Sequence, residues 1–414
     1  MNPISAPLAP STDVEVHSST AGAAAAAACP ACHADATEIF FSMLHLPVHG
    51  QAVCATRDQA VALTRGDQVL AVCHACGFVF NTDYDAGLLD YSGEHEESQA
   101  FSPAFRTFAD GLASSWVERY DLAGELVVEV GCGKGDFLKV LAEKGVGRAH
   151  GVDPGIDLER LPPGGQVTGE RGFYAPSGLS QVATALVCRH TLEHIPDAAG
   201  FLADIAAGVD PDHCRALLFE VPDLTRVLRE GAFWDLQYEH CSSYTAQSLL
   251  ALFQRHGFEA LDLRLVYRGQ YLIIEADPQP GRRLPQTFQA VDSVGKVVAM
   301  CRDFAMTVQA KLDQWSGWFG ELAVAGREAV VWGGGAKGVV FLNSMPPGSV
   351  GRVVDINEGL HGNWLGGVGV PIVAPEQLKE DPPDVVLLMN EVYLDEVRRM
   401  LDDLGLSRVE LLAI

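Results

Sequence analysis

Two stretches of the sequence place a glycine-rich turn directly after a short apolar run: LVVEVGCGKG at 126–135 and AVVWGGGAKG at 329–338. Such a turn lets the chain leave a buried strand, start a helix and bring its backbone close to a ligand. Further apolar runs alternate with helical patterns after both turns, which predicts a parallel sheet in each half. The fold class is therefore α/β, with two units of nucleotide-binding type.

The chain has 414 residues, more than the ~250–300 residues that one core usually spans. We predict a disordered tail over 1–25, an N-terminal domain over 26–110, a larger α/β domain over 111–280 and a smaller Rossmann-like domain over 286–414. A helix from about 288 to 322 should lead the last domain, because its apolar residues have helical spacing.

The net charge of −25 and the pI of about 4.8 disfavour nucleic acid and anionic membranes as partners. No apolar run reaches the ~18–20 residues that span a bilayer. The alanine-rich run at 21–28 lacks the basic segment of a secretory signal, because no Lys or Arg precedes Arg57. We expect a cytoplasmic protein that acts on a small molecule, as a monomer or homodimer.

Four of the ten cysteines form two Cys-x-x-Cys pairs, CPAC and CHAC. Pairs on two turns can converge into a tetrahedral zinc site, which would contribute folding energy to a small domain. A redox Cys-x-x-Cys normally occurs once, near a strand-to-helix junction, so structural zinc is the favoured interpretation. The predicted ligands are Cys29, Cys32, Cys73 and Cys76.

The first glycine turn follows Glu129, and Asp153 ends the next predicted strand about 20 residues later. An acid at that position can accept both hydroxyls of a ribose. The order E-x-G-x-G-x-G resembles motif I of the class I S-adenosylmethionine-dependent methyltransferases. This resemblance implies that the loop passes beneath the methionine part of the cofactor. The cofactor-binding residues that it implies are Glu129, Gly131, Cys132, Gly133, Gly135, Asp153 and Arg189.

The second glycine turn fits G-x-G-x-x-G, and Asp355 lies at the distance expected for a nicotinamide site. Only three or four strands are evident in this unit, fewer than a full dinucleotide fold requires. We therefore favour a nucleotide or diphosphate subsite formed by Gly335 and Lys337. A nicotinamide-binding oxidoreductase remains an alternative.

The order of the parts, a four-cysteine module, motif I, a Glu-His segment after the fifth strand and a small domain with GAKG, resembles the zinc-containing nucleotide-sugar C-methyltransferases. Those enzymes act on nucleotide-linked keto-deoxysugars. The resemblance implies that His240 removes a proton from the carbon beside a ketone. The other active-site residues that it implies are Glu239, Tyr238, His194 and Tyr91.

Two features depart from that family. Its Tyr-His-Glu-His arrangement appears here as QYEH at 237–240, and GEHEESQ at 93–99 replaces a run rich in serine and glycine. The segment WDLQYEHCSSY at 234–244 also has an ordinary structural interpretation, because Thr245 can cap the helix that follows. The sequence thus leaves open an O- or C-methyltransferase acting on another small metabolite.

Overall fold

The structure is a computed structural model that describes residues 27–89, 99–176, 182–282 and 291–414. The predicted tail and Tyr91 lie outside the described residues. The N-terminal part consists of β1 (Thr37–Pro47), α1 (Arg57–Val61), β2 (Arg65–Cys73) and β3 (Val79–Asn81). These three strands pair antiparallel in chain order. The two Cys-x-x-Cys turns flank this small sheet, one before β1 and the other between β2 and β3.

The middle part begins with a helix and alternates strands with helices. Its elements are α2 (Pro103–Arg119), β4 (Leu126–Val130), α3 (Asp136–Glu143), β5 (Arg148–Asp153), β6 (Val167–Arg171), β7 (Ala185–Arg189), α4 (Ala198–Gly208), β8 (Ala216–Pro222), α5 (Leu224–Glu230), β9 (Ser242–Ser243), α6 (Ala246–Arg255), β10 (Glu259–Val266) and β11 (Tyr271–Asp277). Helix α3 begins directly after the first glycine turn, and β10 and β11 close the sheet as an antiparallel pair.

Seven of these strands form one sheet in the order β10-β11-β8-β7-β4-β5-β6, in which β11 runs antiparallel to both neighbours. The chain order reverses on either side of β4. In an open α/β sheet, ligands bind beyond the carboxyl ends of the strands at such a reversal. The first glycine turn leaves β4 there. The short strand β9 instead pairs with β3 and extends the N-terminal sheet.

The C-terminal part starts with a helix of 32 residues, α7 (Val294–Ala325). Five parallel strands follow, although only three or four were evident from the sequence. The remaining elements are β12 (Ala329–Trp332), α8 (Ala336–Asn343), β13 (Val353–Val354), β14 (Ile372–Val373), β15 (Val385–Leu388), α9 (Leu394–Asp403) and β16 (Glu410–Ala413). Their order, β14-β13-β12-β15-β16, again reverses at the strand that precedes a glycine turn.

Buried apolar side chains connect the N-terminal, middle and C-terminal parts of the chain. One core contains residues of the N-terminal sheet, of α5, of α7 and of the C-terminal sheet, so these elements pack as one body. Phe304 of α7, for example, makes edge contacts with Phe40 and Phe41 of β1. Across the described ranges, no helix is both long and apolar enough to cross a membrane.

Candidate active site

One cavity of about 1210 Å³ opens beyond the carboxyl ends of the middle and C-terminal sheets. Its wall includes residues of both glycine turns, most of the segment 235–244 and Gln51 of the N-terminal part. Pockets for a single small ligand usually measure about 300–1,000 Å³. The cavity therefore has room for two ligands side by side.

The first glycine turn adopts a conformation that side chains would obstruct. Gly131, Gly133 and Gly135 all have positive φ, of 71°, 52° and 78°. A Cβ atom on Gly131 would lie 2.0 Å from Oγ1 of Thr191, whereas one on Gly133 would meet no atom within 4 Å. Gly131 is thus packed against the end of β7, and Gly133 faces open space where a ligand can approach the backbone.

Asp153 fixes this turn from the neighbouring strand. Its Oδ2 accepts a hydrogen bond from the backbone N–H of Gly133 at 2.9 Å, and its Oδ1 accepts one from Gly155 at 2.7 Å. Burial raises the pKa of the Asp153 carboxyl. Each carboxylate oxygen has a second lone pair, so Asp153 can still accept from a ligand.

Two buried ionisable side chains in the cavity wall have hydrogen-bonding atoms without partners. Glu129 is 2 % exposed and Arg189 is 8 % exposed; within the described ranges, Oε2 of Glu129 and Nη2 of Arg189 have no partner. Burial raises the pKa of Glu129 to about 8. Buried polar atoms are normally satisfied, so this pair indicates that a ligand supplies the missing partners.

A carboxylate that the sequence analysis did not identify lies behind Arg189. Glu220 accepts from Nε of Arg189 at 2.8 Å and contacts Nε2 of His190 at 2.9 Å. Burial alone would raise the pKa of Glu220, but the two cationic neighbours outweigh it and lower the pKa to about 2. They act reciprocally, because carboxylate neighbours overcome burial and raise the pKa of His190 to about 9. His190 adopts an unusual φ of 49° and lines the cavity.

The two predicted histidines lie side by side. The ring centroids of His194 and His240 are 4.9 Å apart and the rings are perpendicular; Nδ1 of His194 has no partner in the part of the chain that the structure describes. Burial, with a smaller contribution from His194, lowers the pKa of His240 to about 4. His240 is therefore a neutral imidazole at neutral pH, with a lone pair available to accept a proton.

Local hydrogen bonds hold these two histidines together. Ser242 donates to the carbonyl of Ile195 at 2.7 Å, and Tyr244 donates to the carbonyl of Leu192 at 3.3 Å. The turn that follows β7 is thereby tied to the segment 240–244. As the sequence predicts, Thr245 then caps α6 through its side chain. Residues of this segment thus line the cavity and also hold the surrounding backbone in place.

Tyr238 does not lie where the sequence analysis expected it. Its hydroxyl accepts from the backbone N–H of Asp85 at 2.8 Å, its side chain is 1 % exposed, and it is absent from the described cavity wall. Its ring fills the space above Gly66, where a Cβ atom would lie 2.4 Å from the ring. The one-residue displacement seen in the sequence therefore directs this tyrosine into the interior rather than toward an acceptor.

Glu239 lines the cavity but does not hydrogen-bond to the His240 ring. Its Oε2 accepts from the backbone N–H of Gly50 at 3.0 Å, and its Oε1 lies 3.4 Å from Nδ1 of His49. Burial would raise the pKa of Glu239, but His49, His194 and the Gly50 N–H together lower it. Glu239 is consequently an ionised carboxylate anchored to the N-terminal part.

The second glycine turn faces the same cavity. Asp355 at the end of β13 accepts from the backbone N–H of Gly334 at 2.6 Å, an arrangement that repeats the contact between Asp153 and Gly133. Gly335 and Lys337 both line the cavity. The Lys337 ammonium is not solitary, because it pairs with the buried carboxylate of Asp235 at 2.7 Å.

The four cysteines of the N-terminal part converge away from this cavity. Their Sγ atoms all lie within 4.8 Å of one another, with Cys29 and Cys76 at 3.8 Å and Cys32 and Cys73 at 3.6 Å. Zinc–sulfur bonds of about 2.3 Å in a tetrahedron place sulfurs about 3.8 Å apart. The cluster thus has the dimensions of a four-thiolate site, and the nearby His74 contacts Glu38 instead.

Comparisons with known proteins divide the chain in the same way. Residues 105–263 match a family model described as a methyltransferase domain, and residues 288–411 match one described as a C-methyltransferase C-terminal domain. The chain is a class I S-adenosylmethionine-dependent C-methyltransferase. The two matches fall on the parts of the methyltransferase that carry the first and second glycine turns.

Two curated relatives are similar over part of the methyltransferase. C-methyltransferase NovU of Streptomyces niveus is 28% identical over 309 residues, 69% of this chain and 71% of the relative. A ubiquinone biosynthesis O-methyltransferase of Pseudomonas paraeruginosa is 30% identical over 106 residues, 22% of this chain and 43% of that protein. The solved magnesium protoporphyrin IX methyltransferase of Synechocystis shares 18% identity at a TM-score of 0.33, covering 45% of this chain and 90% of its own.

The cavity wall of the methyltransferase fits S-adenosylmethionine. The open face of Gly133 provides space, Asp153 has spare acceptor capacity for ribose hydroxyls, and Glu129 and Arg189 offer an acceptor and a donor. The ammonium and carboxylate of the methionine part are groups that such a buried pair can satisfy. When bound, the cofactor supplies a methyl group on a sulfonium.

Sequence reasoning missed His49, Gln51, His190 and Glu220. His190 and Glu220 could have been found, because both lie at the carboxyl ends of adjacent predicted strands, where parallel strands bring side chains together. His49 offered no such signal. It meets Glu239 across 190 residues of sequence, through a packing of domains that no local pattern encodes.

Proposed function

We propose that this methyltransferase methylates the carbon beside a ketone in a nucleotide-linked deoxysugar. The observation that carries the proposal is the single cavity shared by both glycine turns and by His194, Glu239 and His240. A cavity of this size suits a cofactor together with an extended acceptor. The acceptor's reacting carbon would lie near the histidines, and its nucleotide would extend toward the C-terminal sheet.

A carbon nucleophile requires a base, because a C–H bond beside a ketone must lose its proton before the carbon can attack a methyl group. His240 is our candidate for that base. Its pKa of about 4 keeps it neutral and ready to accept at working pH. Burial causes this low basicity, and the neighbouring carboxylates Glu193 and Glu239 oppose it, because both favour the protonated form of His240.

His194 and His190 are suited to the negative charge that develops on the ketone oxygen. Nδ1 of His194 is buried without a partner among the described residues, and the raised pKa of His190, about 9, keeps that side chain cationic. Preorganised donors and charges of this kind contribute most where water is excluded. In this proposal they act in place of Tyr238, which the sequence analysis included among the active-site residues.

For the acceptor's nucleotide we propose the second glycine turn, with Gly335 and Lys337 as contacts. The free N–H groups at the start of α8 and the Lys337 ammonium favour an anionic group such as a diphosphate. The pairing of Lys337 with Asp235 limits this charge, so Lys337 would bridge the phosphate and the segment that leads to His240.

We also propose that Cys29, Cys32, Cys73 and Cys76 hold a structural zinc ion. The support is the donor set and the sulfur spacing. A backbone N–H supports the arrangement locally, with Ala75 donating to Sγ of Cys73 at 3.4 Å. Zinc would take no part in the chemistry, because the cluster is absent from the cavity wall.

The test is an assay with S-adenosylmethionine and a panel of nucleotide-linked keto-deoxysugars, each paired with its free sugar. We expect a methylated product only from nucleotide-linked ketones, with the new methyl on carbon as determined by NMR. A methyl on oxygen, or equal rates for free and nucleotide-linked sugars, would contradict the proposal. Calorimetry with S-adenosylhomocysteine and NADH serves as a control, since tight NADH binding without S-adenosylhomocysteine binding would favour an oxidoreductase.

A further inference from the structure

A short loop of the N-terminal part reaches the active site. After β1 ends at Pro47, the chain passes through His49, Gly50 and Gln51. Both oxygens of Glu239 contact this loop, at 3.0 Å from the Gly50 N–H and 3.4 Å from Nδ1 of His49. The two side chains of this pair are only 12% and 11% exposed, so water screens their interaction weakly.

The contact fixes the tautomer of His49. An ionised carboxylate only accepts hydrogen bonds, and the pKa of Glu239 is lowered despite its burial. Nδ1 of His49 must therefore carry a proton wherever this hydrogen bond forms. The carboxylate has a charge-assisted bond on one oxygen and a backbone bond on the other, which restricts rotation of its side chain.

The loop packs closely on both sides at Gly50. A Cβ atom on Gly50 would lie 2.6 Å from Cβ of Ala336, the first residue of α8, and 3.5 Å from Oε2 of Glu239. Gly50 is thus wedged between the active-site segment and the C-terminal part. The next residue, Gln51, lines the cavity. This packing places the loop between the active-site segment and α8, where it can support the Glu239 side chain.

We propose that His49 is a positioning residue of the active site, which holds the Glu239 carboxylate ionised and in one orientation beside His194 and His240. The inference rests on the proposed role of His240 as the base. Once His240 has taken a proton, the fixed negative charge of Glu239 stabilises the imidazolium. Without His49, the carboxylate can rotate away or take up a proton, and the transition state loses that stabilisation while the acceptor still binds.

The test compares kcat and KM for His49→Ala and His49→Asn in the full-length protein. We expect His49→Ala to lower kcat roughly tenfold with KM changed by less than about twofold, because the interaction matters in the transition state. Asn carries a neutral N–H donor at nearly the position of Nδ1, so His49→Asn should recover most of the activity. His45→Ala is the matched control, since His45 lies on the same sheet with its ring more than half exposed.

A double-mutant cycle with Glu239→Gln gives the decisive readout. If His49 acts through Glu239, His49→Ala should cost less than about twofold in the Glu239→Gln background. Full additivity, a loss confined to KM, or an Asn variant no better than Ala would overturn the inference. If His49→Ala does not fold, as judged by S-adenosylhomocysteine binding, His49→Leu replaces it in the cycle, because leucine keeps much of the side-chain volume without an N–H donor. Wild-type turnover by a His240→Gln variant would instead rule out His240 as the base, whatever the His49 variants show.

Discussion

Replacing Glu129 by glutamine tests the cofactor site through two opposite effects. In the folded protein the pKa of Glu129 is raised by burial from its usual 4.5 to about 8. An unfolded chain loses this proton near pH 4.5, whereas the folded chain retains it up to about pH 8. Between these values the unfolded state binds fewer protons, so the stability of the unliganded protein falls as pH rises through this range.

The size of this change in the free energy of unfolding follows from the same pH interval. At about 1.4 kcal/mol per pH unit, the interval from 4.5 to about 8 sets an upper bound of about 5 kcal/mol, and relaxation of the site should reduce it to a few kcal/mol. Glu129→Gln removes the ionisable group but keeps its shape. We therefore expect the variant to gain a few degrees in Tm over the wild type at pH 8.5 and to match it near pH 4.5.

The affinity for the cofactor should fall in this variant, whereas its stability at high pH should rise. An ionised Glu129 can accept a charge-assisted hydrogen bond from the ammonium of the methionine part, worth about 1.5–3 kcal/mol, so Glu129→Gln should weaken S-adenosylhomocysteine at least about tenfold. Thermal denaturation at the two pH values and calorimetry with S-adenosylhomocysteine measure both effects. Glu118→Gln on the exposed face of α2, outside the cavity wall, is the control. A variant that is less stable at pH 8.5, or that binds S-adenosylhomocysteine normally, would refute the reasoning.

Three further variants test other parts of the site. Cys73→Ser should remove one bound zinc ion, measured by mass spectrometry of metals, and lower Tm clearly; a metal-free wild type would contradict this. Gly131→Ala places a Cβ atom 2.0 Å from Oγ1 of Thr191 at a left-handed φ, so the affinity for S-adenosylhomocysteine should fall at least about tenfold. The control is Gly111→Ala in α2, which has open space around it and should leave this affinity unchanged. Lys337→Met should raise KM for the nucleotide-linked acceptor about tenfold or more and spare cofactor binding; unchanged KM would remove the C-terminal subsite.

The local structure of this chain was predictable because each element has a local cause. The strand before the first glycine turn is apolar except for Glu129, and the helix after it begins where the glycines end, so both bounds could be read from the sequence. The edge strand β6 was missed because its pattern, VTGER, is polar and contains a glycine. The short strands β13 and β14 have two residues each, too few for any periodicity to show.

The candidate site was predictable only where its residues follow a strand. Asp153, Arg189 and His194 lie at or just after strand ends, and each lines the cavity. Tyr238 could not be placed from the sequence, because alternate residues of an irregular segment face opposite ways and only the packing above Gly66 decides its direction. The partners of Glu239 come from another part of the chain, so only the tertiary structure could identify them.

The most direct test of the account is the loss of deuterium from the carbon beside the acceptor's ketone, measured with S-adenosylhomocysteine in place of the methyl donor. The wild type should exchange the label with solvent. We expect His240→Gln to slow this exchange by at least about 10²-fold while binding S-adenosylhomocysteine within about twofold of the wild type. Exchange at the wild-type rate in His240→Gln would remove His240 as the base, and methylated product that retains all of its deuterium would contradict methylation at that carbon.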